Sequence, residues 1–172
     1  MECTSLSQLD LTPLSKVWEV GSSFLAGCTG LTSIDLTPLS KVTEVHGSFL
    51  VRCKGLTSLD LSPLSRIKEV SCYFLRECTG LASLDLTPLS GVITIHHSFL
   101  YGCTSLTSLD LSALFHLRRM EHSSFLRGCD RSIAAVGAPP LCGTPPRGWV
   151  LGNGRWRRES SSSWSWPSCC TM

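Results

Sequence analysis

The chain has 172 residues, a net charge of +2 at neutral pH and ten cysteines. That length suits one domain, and so small a charge gives no global electrostatic case for nucleic acid. The opening MECTSLSQLD lacks the basic start and apolar run of a secretory signal, no apolar run reaches a membrane span, and Asn153 in NGR is not a glycosylation acceptor.

The chain repeats itself. Cys3, Cys28, Cys53, Cys78 and Cys103 stand 25 residues apart, and Cys129 follows at 26. Leu6, Leu31, Leu56, Leu81 and Leu106 form a second column, and Asp10, Asp35, Asp60, Asp85 and Asp110 a third. Phe24, Phe49, Phe74, Phe99 and Phe125 form a fourth. A fixed period of this size marks a solenoid, in which no unit buries its apolar face alone and neighbours must stack.

Within one unit, Ile34 and Leu36 alternate with Ser33 and Asp35, which predicts a short strand with one face inward. Pro38 has no N–H for a ladder, so it ends the strand or marks a turn. Val42 and Val45 predict a second extended segment. Ser48 is a good N-cap type, and Phe49 and Cys53 stand i, i+4, which predicts one to two helical turns. Gly55 stands where a left-handed residue would stop that helix; Gly30 and Gly80 repeat the feature, whereas Ser5 and Ser105 depart from it. Leu31, Ile34, Leu36, Leu39, Val42, Val45 and Phe49 are expected to point inward. The expected fold class is α/β: a solenoid over residues 1–129 of about five 25-residue units, each a short parallel strand plus a short helix.

Two rows invite a functional reading. Zinc sites need ligands grouped as in C-x₂-C, but these cysteines are spread one per unit along a line. They read as small buried hydrophobes, expected to be reduced, in an intracellular context or a well-shielded core. The Asp row should face outward beside hydroxyl residues. The resulting polar strip comprises Ser33, Asp35, Thr37, Ser58, Asp60, Ser62, Ser83, Asp85, Thr87, Ser108, Asp110 and Ser112, and is the candidate binding surface. Charges about 5 Å apart repel by roughly 0.8 kcal/mol in water, so local hydrogen bonds, a cation or a basic partner must offset the row. Local bonding at the strand end is the plainer of these.

Specificity should lie in the variable columns: Trp18, Thr43, Lys68, Ile93 and Arg118 in one, His46, Ser71, His96 and Glu121 in another, with His97 beside His96. No metal site is assigned to these histidines. No phosphate loop, nucleophile elbow or H-E-x-x-H is present, and the repeated Cys has no general base at constant spacing. The chain is not expected to be an enzyme or to carry a cofactor.

After Asp130 the period vanishes. Residues 130–172 are rich in Pro, Gly, Ser, Trp and Arg and are expected to be disordered. A second reading is translation out of frame. A one-base shift lets Ile133, Val136, Gly137, Ala138 and Pro140 become leucine, leucine, glutamate, leucine and proline, the spacing of Leu31, Ile34, Asp35, Leu36 and Pro38. That reading falls if the shifted frame of the coding DNA lacks the repeat words.

The phrase F-L-x-x-C-x-x-L-x-x-[LI]-D-L-x-P-L-x-x-V-x-x-V resembles leucine-rich repeats, and more narrowly the BspA or Treponema-type class, over residues 3–129. The wording is close to long repeat arrays of protozoan parasites. The resemblance implies a binding module, often at cell surfaces, that displays rows of side chains to a protein or glycan ligand. Met1 enters in mid-repeat and no polar capping unit covers either end, so a piece of a longer array that self-associates end to end is expected. The alternatives are a non-functional remnant and a regulatory repeat region of a larger enzyme.

Overall fold

A chain that repeats every 25 residues must lay each apolar column over the same column of the next unit. In the computed structural model it does so as a stack of coils. The structure describes residues 3–120 and 126–129, and the backbone of strands at 134–136, 149–152 and 155–158. Most of the segment expected to be disordered, and most of the shifted-frame positions, lie outside the described residues, as do Glu121 and Phe125.

Each coil turns a corner through a 3-10 helix, at Thr12–Leu14, Thr37–Leu39, Ser62–Leu64, Thr87–Leu89 and Ser112–Leu114. Proline stands at the start of the first four, where its fixed φ suits the turn and its missing N–H removes no bond. A two-residue strand follows: β1 Glu19–Val20, β2 Glu44–Val45, β3 Glu69–Val70 and β4 Thr94–Ile95. In the fifth coil β5, Ser108–Asp110, lies before the corner and β6, Arg119–Met120, after it. β1 and β2 pair in parallel, and β3, β4 and β6 form a second parallel ladder in which Val70, Ile95 and Met120 share one register. Beyond the repeats, β7 Ala134–Val136 pairs parallel with β5, and β9 Arg155–Arg158 joins β7 to β8 Trp149–Gly152 through antiparallel pairings. The arm before the corner, expected as a strand in every unit, pairs as a strand only at β5 among the described coils.

No α-helix occurs among the described residues, which corrects the α/β expectation of a short helix per unit. Residues 48–53 form a run of tight turns in which Ser48, Leu50 and Arg52 have φ of 66°, 53° and 60°. Alternating handedness sends alternate N–H groups to opposite neighbours. Ser48 donates to Cys72 O of the following coil at 2.8 Å, Leu50 to Phe24 O of the preceding coil at 2.9 Å, and Arg52 forward again to Arg76 O at 2.8 Å. Tyr73, Leu75 and Glu77 repeat the scheme, donating to His97, Phe49 and Tyr101. A helix would keep such bonds within itself; this turn ladder directs them between coils.

The core runs through the stack. Phe24, Phe49, Phe74 and Phe99 stack ring on ring with centroids 5.6, 5.1 and 6.0 Å apart. Leu31, Leu36, Leu39, Val42, Val45 and Phe49 are buried as expected; Ile34 is only half-buried, although its counterparts Leu59, Leu84 and Leu109 are buried. Leu50 is fully buried as well, an inward position the pattern did not disclose. Each such side chain contributes about 1.5–3 kcal/mol.

Gly30, Gly55 and Gly80 are absent from the positive-φ residues, so the expectation that they end a helix in a left-handed conformation is corrected. They are needed for close approach. A Cβ on Gly55 would stand 2.5 Å from Thr29 O and 2.9 Å from Leu31 O, both backbone atoms of the preceding coil. Ser105 shows that the column accepts a side chain where the stack is built around one; a coil built around hydrogen has no such room. Gly55→Ala should therefore cost about 1–3 kcal/mol. Gly21→Ala, whose Cβ would meet nothing within 4 Å, should stay within about 0.5 kcal/mol of wild type. Urea denaturation of the two variants distinguishes them, and equal midpoints would remove the steric account.

Candidate functional site

All twelve residues of the polar strip are exposed. The strip lies just before and at the 3-10 corner of each coil, and the corner explains the Asp column. Asp35 Oδ1 accepts the Thr37 N–H at 2.8 Å. Asp10, Asp60, Asp85 and Asp110 accept from Thr12, Ser62, Thr87 and Ser112 at the same distance. Each carboxylate thus takes up an N–H that opens a turn and has no partner inside it. The hydroxyl and then the N–H of Thr37 hold the Asp35 carboxyl below its ordinary value, against smaller upward pushes from desolvation, Asp60 and Asp10. Asp10, Asp60 and Asp85 are lowered by the same pair of bonds. Where the strip begins, Gln8, Asp10, Ser33 and Asp35 line an open cleft of about 370 Å³.

The Cys row is buried at Cys28, Cys53, Cys78, Cys103 and Cys129. Each thiol from Cys53 onward donates to a leucine carbonyl of the preceding coil: Cys53 to Leu25 at 3.2 Å, then Cys78, Cys103 and Cys129 to Leu50, Leu75 and Leu100 at 3.1 Å. Burial pushes the Cys53 thiol up to about 11 and that of Cys78 to about 12, and raises Cys28 and Cys103 too. A neutral, bonded, buried thiol is a packing residue rather than a nucleophile or a metal ligand. Among the described residues no group of three or more His, Cys, Asp or Glu is placed to hold a metal ion.

The variable columns separate. His46 Nε2 lies 2.7 Å from Glu19 Oε1, an ion-pair distance without hydrogen-bond alignment. His96 Nε2 lies 3.7 Å from Glu69, and His97 turns instead to Tyr73, ring edge to ring face at 4.6 Å. Between β2 and β3 no strand pairing is made. There Thr43, Glu44, His46, Arg66, Lys68 and Glu69 line a cleft of about 830 Å³ that holds both basic and acidic side chains.

Sequence reasoning passed over a cluster on the turn ladder. Arg52 Nε meets Glu77 Oε2 at 2.9 Å and Arg76 meets Glu77 Oε1 at 2.8 Å. The Arg76 guanidinium lies 5.3 Å from the Tyr73 ring centre and 4.9 Å from that of Tyr101. Partial burial raises the Glu77 carboxyl, but the bonds from Arg52 and Arg76 outweigh it and hold the group below its ordinary value. The signal was in the sequence. Tyr73 replaces the serine of Ser23, Ser48 and Ser98, and Arg52 and Glu77 stand where Gly27, Gly102 and Gly128 stand in other coils.

A stack of coils with leucine columns, a thiol row and a polar strip defines a leucine-rich-repeat solenoid. Residues 1–130 match the BspA type leucine rich repeat region in 6 copies, and the chain belongs to that family. Leucine-rich repeats generally mediate protein–protein or ligand interaction. Among solved structures, the functional domain of InlJ from Listeria monocytogenes, which includes a cysteine ladder, is similar at 17% identity with a TM-score of 0.30. The similarity covers 80% of this chain and 36% of that one. No curated protein matches the chain. No helix among the described residues is long and apolar enough to cross a membrane.

Two outcomes follow from this geometry. The Asp caps have folded pKa values below the ordinary 3.8, so the stability they add is present above that value and lost as pH falls through the folded one. Melting temperature should therefore drop as pH falls below about 5, and the joint replacement of Asp35, Asp60 and Asp85 by Asn should flatten that drop. An unchanged acid limb in thermal melts would remove the caps from the acid response. Separately, iodoacetamide at neutral pH should label exposed Cys3 at least about tenfold faster than buried Cys28, Cys53, Cys78, Cys103 and Cys129. Peptide mass spectrometry reads the rates, and comparable labelling would contradict the thiol row's burial.

Proposed function

We propose that the chain is a protein-binding module whose contact row is the polar strip. The observation that supports this is the division of labour within each coil: the apolar columns are buried while every Ser, Asp and Thr of the strip is exposed at the same place in successive coils. One oxygen of each Asp serves its own corner, so the Ser33, Ser58, Ser83 and Ser108 hydroxyls are the members of the row free of that task. No catalytic constellation enters this reading: the row thiols Cys28, Cys53, Cys78, Cys103 and Cys129 are buried.

Selection of a displayed peptide library on the immobilised chain tests it. Enriched peptides should lose about tenfold or more in affinity for a Ser58→Arg/Ser83→Arg variant whose melting curve matches wild type. Equal binding to both proteins would take the strip out of the function.

A further inference from the structure

The turn ladder carries a second surface, on a different side of each coil from the strip. In the first coil three of its columns hold exposed Ser23, half-buried Ala26 and buried Gly27, all small. Over the next coils the same columns hold Arg52, then Tyr73, Arg76 and Glu77, then Tyr101, then Arg127. A uniform array becomes unique here. Arg52 and Glu77 retain φ of 60° and 58°, a conformation that glycine supplies at Gly27, Gly102 and Gly128.

The cluster is organised before any partner arrives. Arg76 is held between the Tyr73 and Tyr101 rings and pinned by Glu77, which Arg52 pins in turn. Arg76 and Arg52 remain 32% and 49% exposed at their side chains. Exposed Arg127 occupies the next place after Tyr101 in the column, and its carbonyl accepts the Gly102 N–H. Among the described residues, Arg52 and Arg76 share the one carboxylate of Glu77, and Arg127 adds a third guanidinium to the columns. Tyrosine and arginine are enriched among the residues that dominate protein interfaces, and a pre-oriented guanidinium loses little entropy on donating to a carboxylate.

We propose that Arg52, Tyr73, Arg76, Tyr101 and Arg127 form a docking patch for an acidic segment of a partner protein. The excess positive charge selects carboxylates, and the two rings provide the apolar seat beside them. A long polyanion is the poorer fit: the patch spans only a few coils, and the whole chain carries only +2.

The test is fluorescence anisotropy of fluorescein-labelled poly-L-glutamate with the full chain at low salt, heparin being titrated in parallel. Wild type should bind poly-L-glutamate. Arg76→Ala and Tyr101→Ala should each weaken it about tenfold, and Arg76→Lys, which keeps the charge but loses the planar stack, about threefold. Ser58→Ala on the strip should leave it unchanged, so failure here is distinguishable from failure of the strip. Circular dichroism melts confirm that each variant folds, and Arg76→Lys serves if Arg76→Ala does not. No binding of poly-L-glutamate, equal affinity in the Arg76 and Tyr101 variants, or binding of heparin alone would each overturn the proposal.

Discussion

Each coil of this molecule gives away the backbone bonds of its turn segment. The N–H of Ser48 goes forward, that of Leu50 backward and that of Arg52 forward again. A buried donor left without a partner costs about 1–3 kcal/mol, so no coil is stable apart from the coils on either side. The alternation also sets the backbone. Leu25, Leu50, Leu75, Leu100 and Leu126 all take positive φ, at about 1–2 kcal/mol each for a side chain with a Cβ. Burying leucine and completing a bond between coils offsets that cost. The ladder also accommodates the one irregular step: after the extra residue before Cys129, Leu126 still donates to Phe99 O and Gly102 to Arg127 O.

That constraint explains what was legible in the sequence. The period, the inward columns and the exposed strip follow from stacking, and stacking is written in the spacing of Cys, Leu, Asp and Phe. Ser48 to Cys53 misled because an apolar residue at i and i+4 satisfies a helix and an alternating-handed ladder alike. Ladders of this kind normally announce themselves by glycine, yet here Ser48, Leu50 and Arg52 take the left-handed positions. The glycines that are present, at Gly30, Gly55 and Gly80, answer a contact with the preceding coil that local sequence does not encode.

The two conspicuous rows illustrate how repetition can imitate a site. Five aligned carboxylates look like a cation ladder, but each is engaged at its own 3-10 corner. Aligned thiols look like a redox or metal row, but from Cys53 onward each donates to a leucine carbonyl one coil back. In both cases a side chain closes a backbone bond that the coil geometry leaves open. What remains exposed after that closure is available to a partner, the strip's hydroxyls and the large residues of the turn ladder among it.

The Arg52–Glu77 pair shows the difference in magnitudes. Both residues occupy a left-handed place where Gly27, Gly102 and Gly128 sit without strain, so the two together cost roughly 2–4 kcal/mol. A partly exposed ion pair returns about 0.2–1 kcal/mol, and its side chains lose rotamer freedom besides. The stacking of Arg76 on two tyrosines adds about 0.5–1 kcal/mol per ring, which brings the return to about the size of the strain. The cluster therefore adds little net stability to the fold, and strain held in place by its surroundings is characteristic of functional surfaces.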